Sequence, residues 1–384
     1  MSTGSPTLSR FSFPTTIHFG AGARKLLAEH LKASGVKRPL VVTDKGVAAL
    51  PMTADLAADL RGAGLAPEIF GGVFGNPTGG QVKAGVDAYR AHRADGVVGL
   101  GGGAALDVAK AVALMAVHEG DILDYAWDHP NARPIQHALP HFVALPTTAG
   151  TGSEVGRSSV ISHDTTHVKK IVFAPALLAK AVFADPELTL DLPPHITAAT
   201  GMDALAHNVE SYLSPVYHPL CDGIALEGAR IAARALRPAV ANGKDLAARS
   251  DMLMASMMGA IAFQKDLGVV HSCAHALGTV LNVHHGLAIG IMFDHGMRFN
   301  APAAAEKMAE LARVTGAGKN AEDFVAWLTK LKADTGIPAK LDQVKATRAH
   351  LPKLVELALV DTCHKTNPRP CTQADFEAIF SVAI

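Results

Sequence analysis

Two residue pairs in the second half of the chain have the spacing of metal ligands. Asp203 and His207 are four residues apart in GMDALAHNVE, and His271 and His275 are four residues apart in HSCAH. Because residues four apart project from one face of a helix, each pair can present two donor atoms to one ion. A carboxylate with imidazoles suits Zn²⁺ and Fe²⁺. Spacing alone therefore favours a metal bound by these four residues, with helix-stabilising pairs as the alternative.

A further pair of histidines, His284 and His285, follows in VHHG. The chain has 19 histidines, so clustering alone does not define a site. The four ligands that helical spacing favours do not include either of these histidines.

Small and hydroxyl-bearing residues follow two predicted strands in the first half. GLGGGAALDVAK (99–110) opens a helix, and PTTAGTGSEV (146–155) follows the next strand. A glycine-rich turn at a helix N-terminus can bind phosphate, and loops at strand ends line the ligand crevice of an open α/β sheet. Asp44 ends the strand LVVTD, where a carboxylate can bind a ribose diol and so favour NAD over NADP. Tight packing turns and helix caps are the alternatives.

Short apolar runs alternate with helical patterns up to about residue 190. Strands are predicted at 39–47, 96–103, 141–153 and 181–188, and helices at 50–64 and 80–93. This alternation predicts a mainly parallel sheet covered on both faces. Beyond it the patterns are helical, at 195–213, 218–240, 245–264, 268–281, 302–314, 321–334 and 350–360. We expect an α/β nucleotide-binding domain at 1–192 and an all-α metal-binding domain at 193–384.

Composition limits the partners. Lys+Arg and Asp+Glu are both 35, so there is no basic excess to attract nucleic acid or an anionic membrane. The four cysteines form no CxxC pair, and the N-terminus lacks a signal-peptide pattern. We expect a cytoplasmic protein with a small-molecule substrate.

A nucleotide crevice combined with a metal bound by oxygen and nitrogen suits alcohol–carbonyl redox chemistry. The metal polarises the substrate oxygen, and the nicotinamide exchanges a hydride with the substrate.

The chain resembles the iron-containing (group III) alcohol dehydrogenases along nearly its whole length. The similarity lies in VTDKG, NPT (76–78), GGGAALDVAK, PTTAGTGSEV, ADPEL, GMDALAHNVESYLS, HSCAHALG, HHG and TNPR (366–369). FQK…LG and CHKTNPR look most like the branch that acts on 4-hydroxybutyrate and similar short-chain substrates. The resemblance implies a dehydroquinate synthase-like fold, a metal-dependent exchange of hydride between NAD(H) and a small primary alcohol or aldehyde, and a homodimer or larger homo-oligomer.

The resemblance also implies roles for individual residues. The metal, Fe²⁺ with Zn²⁺ as the alternative, is expected on Asp203, His207, His271 and His285. His275 is expected beside the nicotinamide and substrate as a proton relay rather than on the metal. The NAD-binding residues it implies are Asp44, Asn76, Gly102, Gly103, Asp107, Thr147, Thr148 and Lys170.

Three departures from the family pattern stand out. Ala104 replaces a serine, FQKDLGVVH (263–271) is one residue shorter than the common form, and HHG replaces Pro-His-Gly, so that His284 competes with His285. The shorter segment puts the family's substrate wall around Phe263 in doubt. A dehydroquinate synthase-type lyase, a zinc enzyme oxidising polyols like glycerol dehydrogenase, and a regulatory protein with a vestigial metal site remain as alternatives.

Overall fold

The computed structural model describes Phe13 and residues 15–384, which form two compact units. The α/β unit comprises Thr15–Thr197 and Asn242–Leu253, and the helical unit comprises Ala198–Ala241 and Met254–Ile384. The domain boundary between 192 and 193 stays a prediction.

The α/β unit is built on a parallel sheet. Its strands are β1 Thr16–Phe19, β2 Pro39–Asp44, β3 Glu68–Val73, β4 Gly96–Gly101, β5 His141–Pro146, β6 Ser158–Ser162, β7 Lys169–Phe173 and β8 Ala181–Ala184. Six strands lie in the order β1-β8-β5-β4-β2-β3, all parallel, while β6 and β7 form an antiparallel pair. The strands predicted at 39–47, 96–103, 141–153 and 181–188 are confirmed as β2, β4, β5 and β8.

Helices cover both faces of the sheet. The helices of this part of the chain are α1 Leu27–Ala33, α2 Lys45–Ala48, α3 Pro51–Gly62, α4 Gly79–His92 and α5 Gly103–Met115. Leu31 of α1 and Leu60 of α3 share a buried cluster with Val98 of β4. A methyl group on the next residue, Gly99, would lie 3.1 Å from the side chain of Ala109 in α5. Because successive strand residues face opposite ways, α5 covers the other face of the sheet.

The order of the strands creates a reversal between β2 and β4. From β2 the chain continues to β3 on one side and then crosses to β4 on the other. In open α/β sheets, ligands bind beyond the carboxyl ends of the strands at such a switch point. The ends of β2 and β4 carry Asp44 and the glycines 101–103, so the predicted nucleotide residues lie where this topology favours a ligand.

The second half of the chain is helical, as predicted. Its helices are α6 Pro194–Leu213, α7 Pro219–Ala241, α8 Leu246–Ala262, α9 Val269–Leu281, α10 His285–Asn300, α11 Ala305–Thr315, α12 Ala321–Asp334, α13 Leu351–Val360 and α14 Gln373–Ala383. Asn282, in the left-handed conformation at φ 52°, ends α9 and turns the chain toward α10.

Over the part of the chain that the structure describes, no single helix has the length and apolar composition to cross a membrane; one bent pair, Leu246–Lys265 with Val269–Leu281, meets that test by length and composition only.

An edge strand is also predicted near residues 10–18. β1 overlaps the end of that range and pairs in parallel with β8 at the edge of the sheet. Residues 10–12 and 14 lie outside the described residues.

Candidate metal and nucleotide sites

Helix α6 presents three buried polar side chains on one face. Asp203, His207 and Glu210 follow each other at intervals of four and three residues, which is one helical stripe. They are 2%, 4% and 2% exposed. Burial of this much polar surface requires partners for it, since an unpaired buried charge is costly.

Three imidazole nitrogens lie close to one carboxylate oxygen of Asp203. Oδ1 of Asp203 lies 3.5 Å from the Nε2 atoms of His207, His271 and His285. Neighbouring ligand atoms of a tetrahedral ion with bonds of about 2.1 Å are about 3.4 Å apart. The three distances match the edges that meet at Oδ1 of Asp203 in such a tetrahedron. Ligand atoms of Asp203, His207 and His271 also lie within 4.8 Å of one another, whereas His285 joins this group through Oδ1 of Asp203.

The hydrogen bonding of this cluster fits a cation. Within the described residues, neither Oδ1 of Asp203 nor Nε2 of His271 has a hydrogen-bond partner, although both are buried. Burial by itself raises the pKa of Asp203, but the adjacent His207 and His285 hold it well below its ordinary value. An ionised carboxylate oxygen and an imidazole lone pair facing one point are the donors that Fe²⁺ or Zn²⁺ requires.

Glu210 fixes the orientation of His271. Its carboxylate accepts hydrogen bonds from Nδ1–H of His271 and from the backbone N–H of Val270, the latter at 2.8 Å. A proton on Nδ1 leaves Nε2 as the acceptor, so the ring is oriented as metal-bound histidines usually are. Burial lowers the pKa of His271, but the charges of Glu210 and Asp203 raise it to about 9. A cation binding at Nε2 displaces that proton.

His275 has a different partner. Its Nδ1 lies 2.8 Å from Oδ2 of Asp361, and its ring stacks on that of His285 with centroids 5.4 Å apart. The side chains of His275 and His285 are 28% and 23% exposed, whereas that of His271 is 1% exposed. The cluster is therefore buried at His271 and more exposed at His275 and His285.

The structure brings together three of the four residues that helical spacing favours, Asp203, His207 and His271, whereas His275 lies with Asp361 and Cys363. His285, the first residue of α10, joins Asp203, whereas His284 precedes that helix and is exposed. Phe263 packs its ring against His207 at 5.2 Å between centroids, so an aromatic side chain does border the cluster despite the shorter segment.

The two predicted nucleotide loops lie side by side in the α/β unit. The N–H of Thr147 donates to the carbonyl oxygen of Gly101 at 3.0 Å. A methyl group on Gly102 would lie 3.2 Å from the side chain of Thr148, and one on Gly103 would lie 2.7 Å from that of Thr151. The glycines thus let the threonine loop approach the N-terminus of α5, where free N–H groups favour an anion.

Asp107 has an internal role. Its carboxylate accepts the hydroxyl of Ser153 at 2.6 Å and the N–H of Val160 at 3.0 Å. Lys110 is fully buried, 3.7 Å from Asp107, and donates to the carbonyl oxygens of Ser153 and Ser158. Burial raises the pKa of Asp107 and lowers that of Lys110. This network anchors the segment that follows the threonine loop to α5.

The remaining predicted nucleotide residues, Asp44, Asn76 and Lys170, lie on other segments of the α/β unit. One oxygen of Asp44 caps α2 by accepting the N–H groups of Gly46 and Val47. The carbonyl oxygen of Asn76, in the loop between β3 and α4, accepts a bond from a neighbouring glutamine. Lys170 on β7 pairs with Asp128 at 2.7 Å. One carboxylate oxygen of Asp44 therefore caps α2, as the alternative from the sequence predicts, and the other oxygen takes no part in the cap.

Sequence reasoning missed two carboxylates. Glu210 had a signal, because it lies three residues after His207 on the same helical face. Asp361 had none, because its partner His275 is 86 residues away in sequence.

A doubly wound sheet with a glycine-rich switch point and a helical unit with a buried carboxylate–imidazole cluster are the parts of a nucleotide- and metal-dependent oxidoreductase. Two family models match the chain: "Iron-containing alcohol dehydrogenase" over residues 14–186, and "Fe-containing alcohol dehydrogenase family, C-terminal" over residues 197–384. The chain therefore belongs to the iron-containing alcohol dehydrogenase family.

Similar proteins agree with this assignment. The 4-hydroxybutyrate dehydrogenase of Cupriavidus necator is 40% identical over 94% of this chain and 96% of its own length. The 1,3-propanediol dehydrogenase of Klebsiella pneumoniae is 37% identical over 96% and 97%. A 1,3-propanediol oxidoreductase structure has a TM-score of 0.93 at 36% identity, covering 98% of this chain and 100% of its own. The sulfoacetaldehyde reductase of Bifidobacterium kashiwanohense, solved with NAD⁺, has a TM-score of 0.88 at 29% identity, covering 98% and 99%.

Proposed function

We propose that this dehydrogenase uses Fe²⁺, with Zn²⁺ as the alternative, and NAD to interconvert a small primary alcohol and its aldehyde. One observation carries the metal part of the proposal: a buried carboxylate oxygen of Asp203 faces three imidazole nitrogens at a single distance of 3.5 Å. The proposed ligands are Asp203, His207, His271 and His285. The iron assignment rests on the family, since Zn²⁺ binds such ligands more tightly than Fe²⁺ and availability decides which ion is bound.

The chain's own residues handle the proton. When bound, the cation lowers the pKa of the alcohol and the nicotinamide accepts the hydride. Nδ1 of His275 keeps its proton and donates it in a hydrogen bond to Asp361. Nε2 is therefore the atom that takes up the proton released by the alcohol and passes it to solvent. Phe263 borders the cluster beside His207.

For the cofactor we propose the glycine and threonine loops, with Gly102 and Gly103 admitting the pyrophosphate and Thr147 and Thr148 bordering it. Asp44 is proposed to bind the ribose diol through the oxygen that does not cap α2, which would lie 3.2 Å from a methyl group on Gly101. A carboxylate there repels a 2′-phosphate and favours NAD over NADP.

The other proposed cofactor residues are Asn76, Asp107 and Lys170. Asp107 acts by anchoring the loop from within, as its two internal hydrogen bonds indicate. Lys170 pairs with Asp128, and its side chain is 36% exposed, so its ammonium has further N–H donors for the cofactor.

A substrate screen tests the proposal. Purified protein of known metal content is given NAD or NADP with a series of short alcohols, including 4-hydroxybutyrate and its uncharged counterpart 1,4-butanediol, and NADH is followed by absorbance. We expect NADH to accumulate with NAD and at least one primary alcohol. A lyase that regenerates its cofactor at each turnover gives no net NADH, and neither does a vestigial site. Preference for 4-hydroxybutyrate over the diol assigns the hydroxy-acid branch, and preference for glycerol assigns polyol oxidation.

Localisation and assembly complete the proposal. The cysteines are free thiols, which supports a reducing compartment such as the cytoplasm. We expect a homodimer or larger homo-oligomer, which light scattering of the purified protein measures.

A further inference from the structure

Asp361 lies at the centre of a hydrogen-bond network beside the metal cluster. It follows α13 directly, and its side chain is 18% exposed. Its Oδ1 accepts the hydroxyl of Ser272 at 2.7 Å and the N–H of Cys363 at 2.9 Å, while Oδ2 accepts Nδ1–H of His275 at 2.8 Å. The groups that donate hydrogen bonds to Asp361 thus lie on α9 and in the turn after α13.

The network fixes both the position and the protonation of the His275 ring. Two donors hold the carboxylate through one oxygen, so the other oxygen has a fixed direction toward Nδ1. An ionised carboxylate requires a proton on Nδ1, which leaves Nε2 as the acceptor. Hydrogen bonds donated to a carboxylate favour its ionised form, and Asp361 accepts two besides that of His275.

We propose that Asp361 is a positioning residue for the dehydrogenase reaction, holding His275 in the tautomer and orientation in which Nε2 accepts the alcohol proton. This inference rests on the proposed function, because it gives His275 a partner in the step assigned to it there. Asp361 makes no contact with the Asp203 cluster in this network; it acts through His275.

A double-mutant cycle separates positioning from a merely structural role. The variants are Asp361→Asn, His275→Ala and the double variant, made in the full chain and loaded with the same metal. Asp361→Asn keeps the shape but offers an amide in place of the carboxylate. The matched control is Asp375→Asn, which changes another hydrogen-bonded carboxylate. Asp375 is the third residue of α14 and accepts the N–H of its N-cap residue, Thr372.

His275→Ala is expected to lower kcat by about 10²-fold or more, the usual contribution of an acid–base group. Asp361→Asn is expected to lower kcat by about 10-fold or more, with metal content and the KM for NAD retained, because only the partner of that group is changed. The double variant is expected to be no slower than His275→Ala, because residues that act through one another are not additive. The solvent deuterium isotope effect on kcat is expected to rise in Asp361→Asn and not in Asp375→Asn.

Several results would overturn this inference. One is an unchanged kcat in Asp361→Asn. Another is a double variant that loses the full factor of each single change, which marks a structural role. If Asp361→Asn does not fold, Asp361→Ala, which also removes the carboxylate, replaces it, and a kcat equal to that of wild type with no change in the isotope effect refutes positioning. An unchanged kcat in His275→Ala removes the relay and this inference together, whereas a wild type that makes no NADH refutes the proposed function itself.

Discussion

Replacing Glu210 by glutamine tests whether the buried carboxylate beside His271 supports metal binding. Glu210 is 2% exposed and accepts hydrogen bonds from Nδ1–H of His271 and the N–H of Val270. Glutamine preserves the volume and one acceptor oxygen but removes the charge. It also brings an amide NH₂ that can face Nδ1 and reverse the tautomer of the ring.

The expected loss follows from what the carboxylate does. Removing the outer partner of a metal-bound histidine costs about 10- to 100-fold in metal affinity. That factor corresponds to about 1.4 to 2.8 kcal/mol. Because one of the two acceptor oxygens survives in Glu210→Gln, we expect the lower half of this range, and the full range for Glu210→Ala.

The assay is a competition titration of Zn²⁺ into metal-free protein with a chelator of known affinity. It is run near pH 9 and again well below it, because the pKa of His271 is about 9 in the wild type. At the lower pH a proton competes with the cation at Nε2 in the wild type, so the difference between the two proteins is expected to be smaller there. Glu227→Gln, an exposed carboxylate paired with Arg230 on α7, is the control. Equal affinities of Glu210→Gln and wild type near pH 9 would refute the reasoning.

Three further predictions follow from single residues. Gly103→Ala places a methyl group 2.7 Å from the side chain of Thr151 and so pushes the two proposed nucleotide loops apart. The Kd for NAD is expected to rise about 10-fold or more while metal content is unchanged. An unchanged Kd, measured by calorimetry, contradicts the assignment of this loop. Asp266 has φ 61° and ψ −175°, a conformation almost confined to glycine, so Asp266→Gly is expected to stabilise the protein by about 1–3 kcal/mol, and a lower Tm contradicts this. Burial raises the pKa of Asp294, but the charge of Lys332 has the larger effect, so the pKa is lower in the folded than in the unfolded protein. The ionised carboxylate therefore stabilises the fold above the unfolded pKa of about 4. This contribution is lost as the pH falls through the pKa of the folded protein. Asp294→Asn is therefore expected to cost about 3–5 kcal/mol at neutral pH and less under acid conditions, measured by urea unfolding, and a loss independent of pH refutes it.

Regular hydrophobic patterns made most of the fold predictable. The continuous apolar runs of β2, β4 and β5 are typical of buried parallel strands, and Pro194 begins α6 as expected of a proline at a helix start. Helix α10 was not predicted as a helix. It contains Gly286, Gly290 and Gly296, which weaken helix propensity. Packing requires Gly286, since a methyl group there would lie 2.4 Å from the carbonyl oxygen of Ala199.

The candidate site was predictable only as far as local spacing extends. A spacing of four residues put Asp203 beside His207 and His271 beside His275 on their helices. It could not show which residues from other elements these side chains contact, because that depends on the tertiary structure. His285 reaches Asp203 because Asn282 turns the chain between α9 and α10, and His275 is held by a carboxylate from beyond α13. The family resemblance supplied the choice of His285 over His275, which the residue spacing could not make.

The most direct test of the account compares two adjacent histidines. Metal content and NADH formation are measured together for wild type, chelator-treated wild type, His285→Ala and His284→Ala, with the alcohol that the screen identifies. We predict one metal ion per chain and NADH formation in wild type and His284→Ala, with both lost in His285→Ala and after chelation, and activity restored to the chelated wild type by Fe²⁺ or Zn²⁺. Full activity and metal content in His285→Ala, or NADH formation by the metal-free wild type, would contradict the central claim that this cluster binds the catalytic metal.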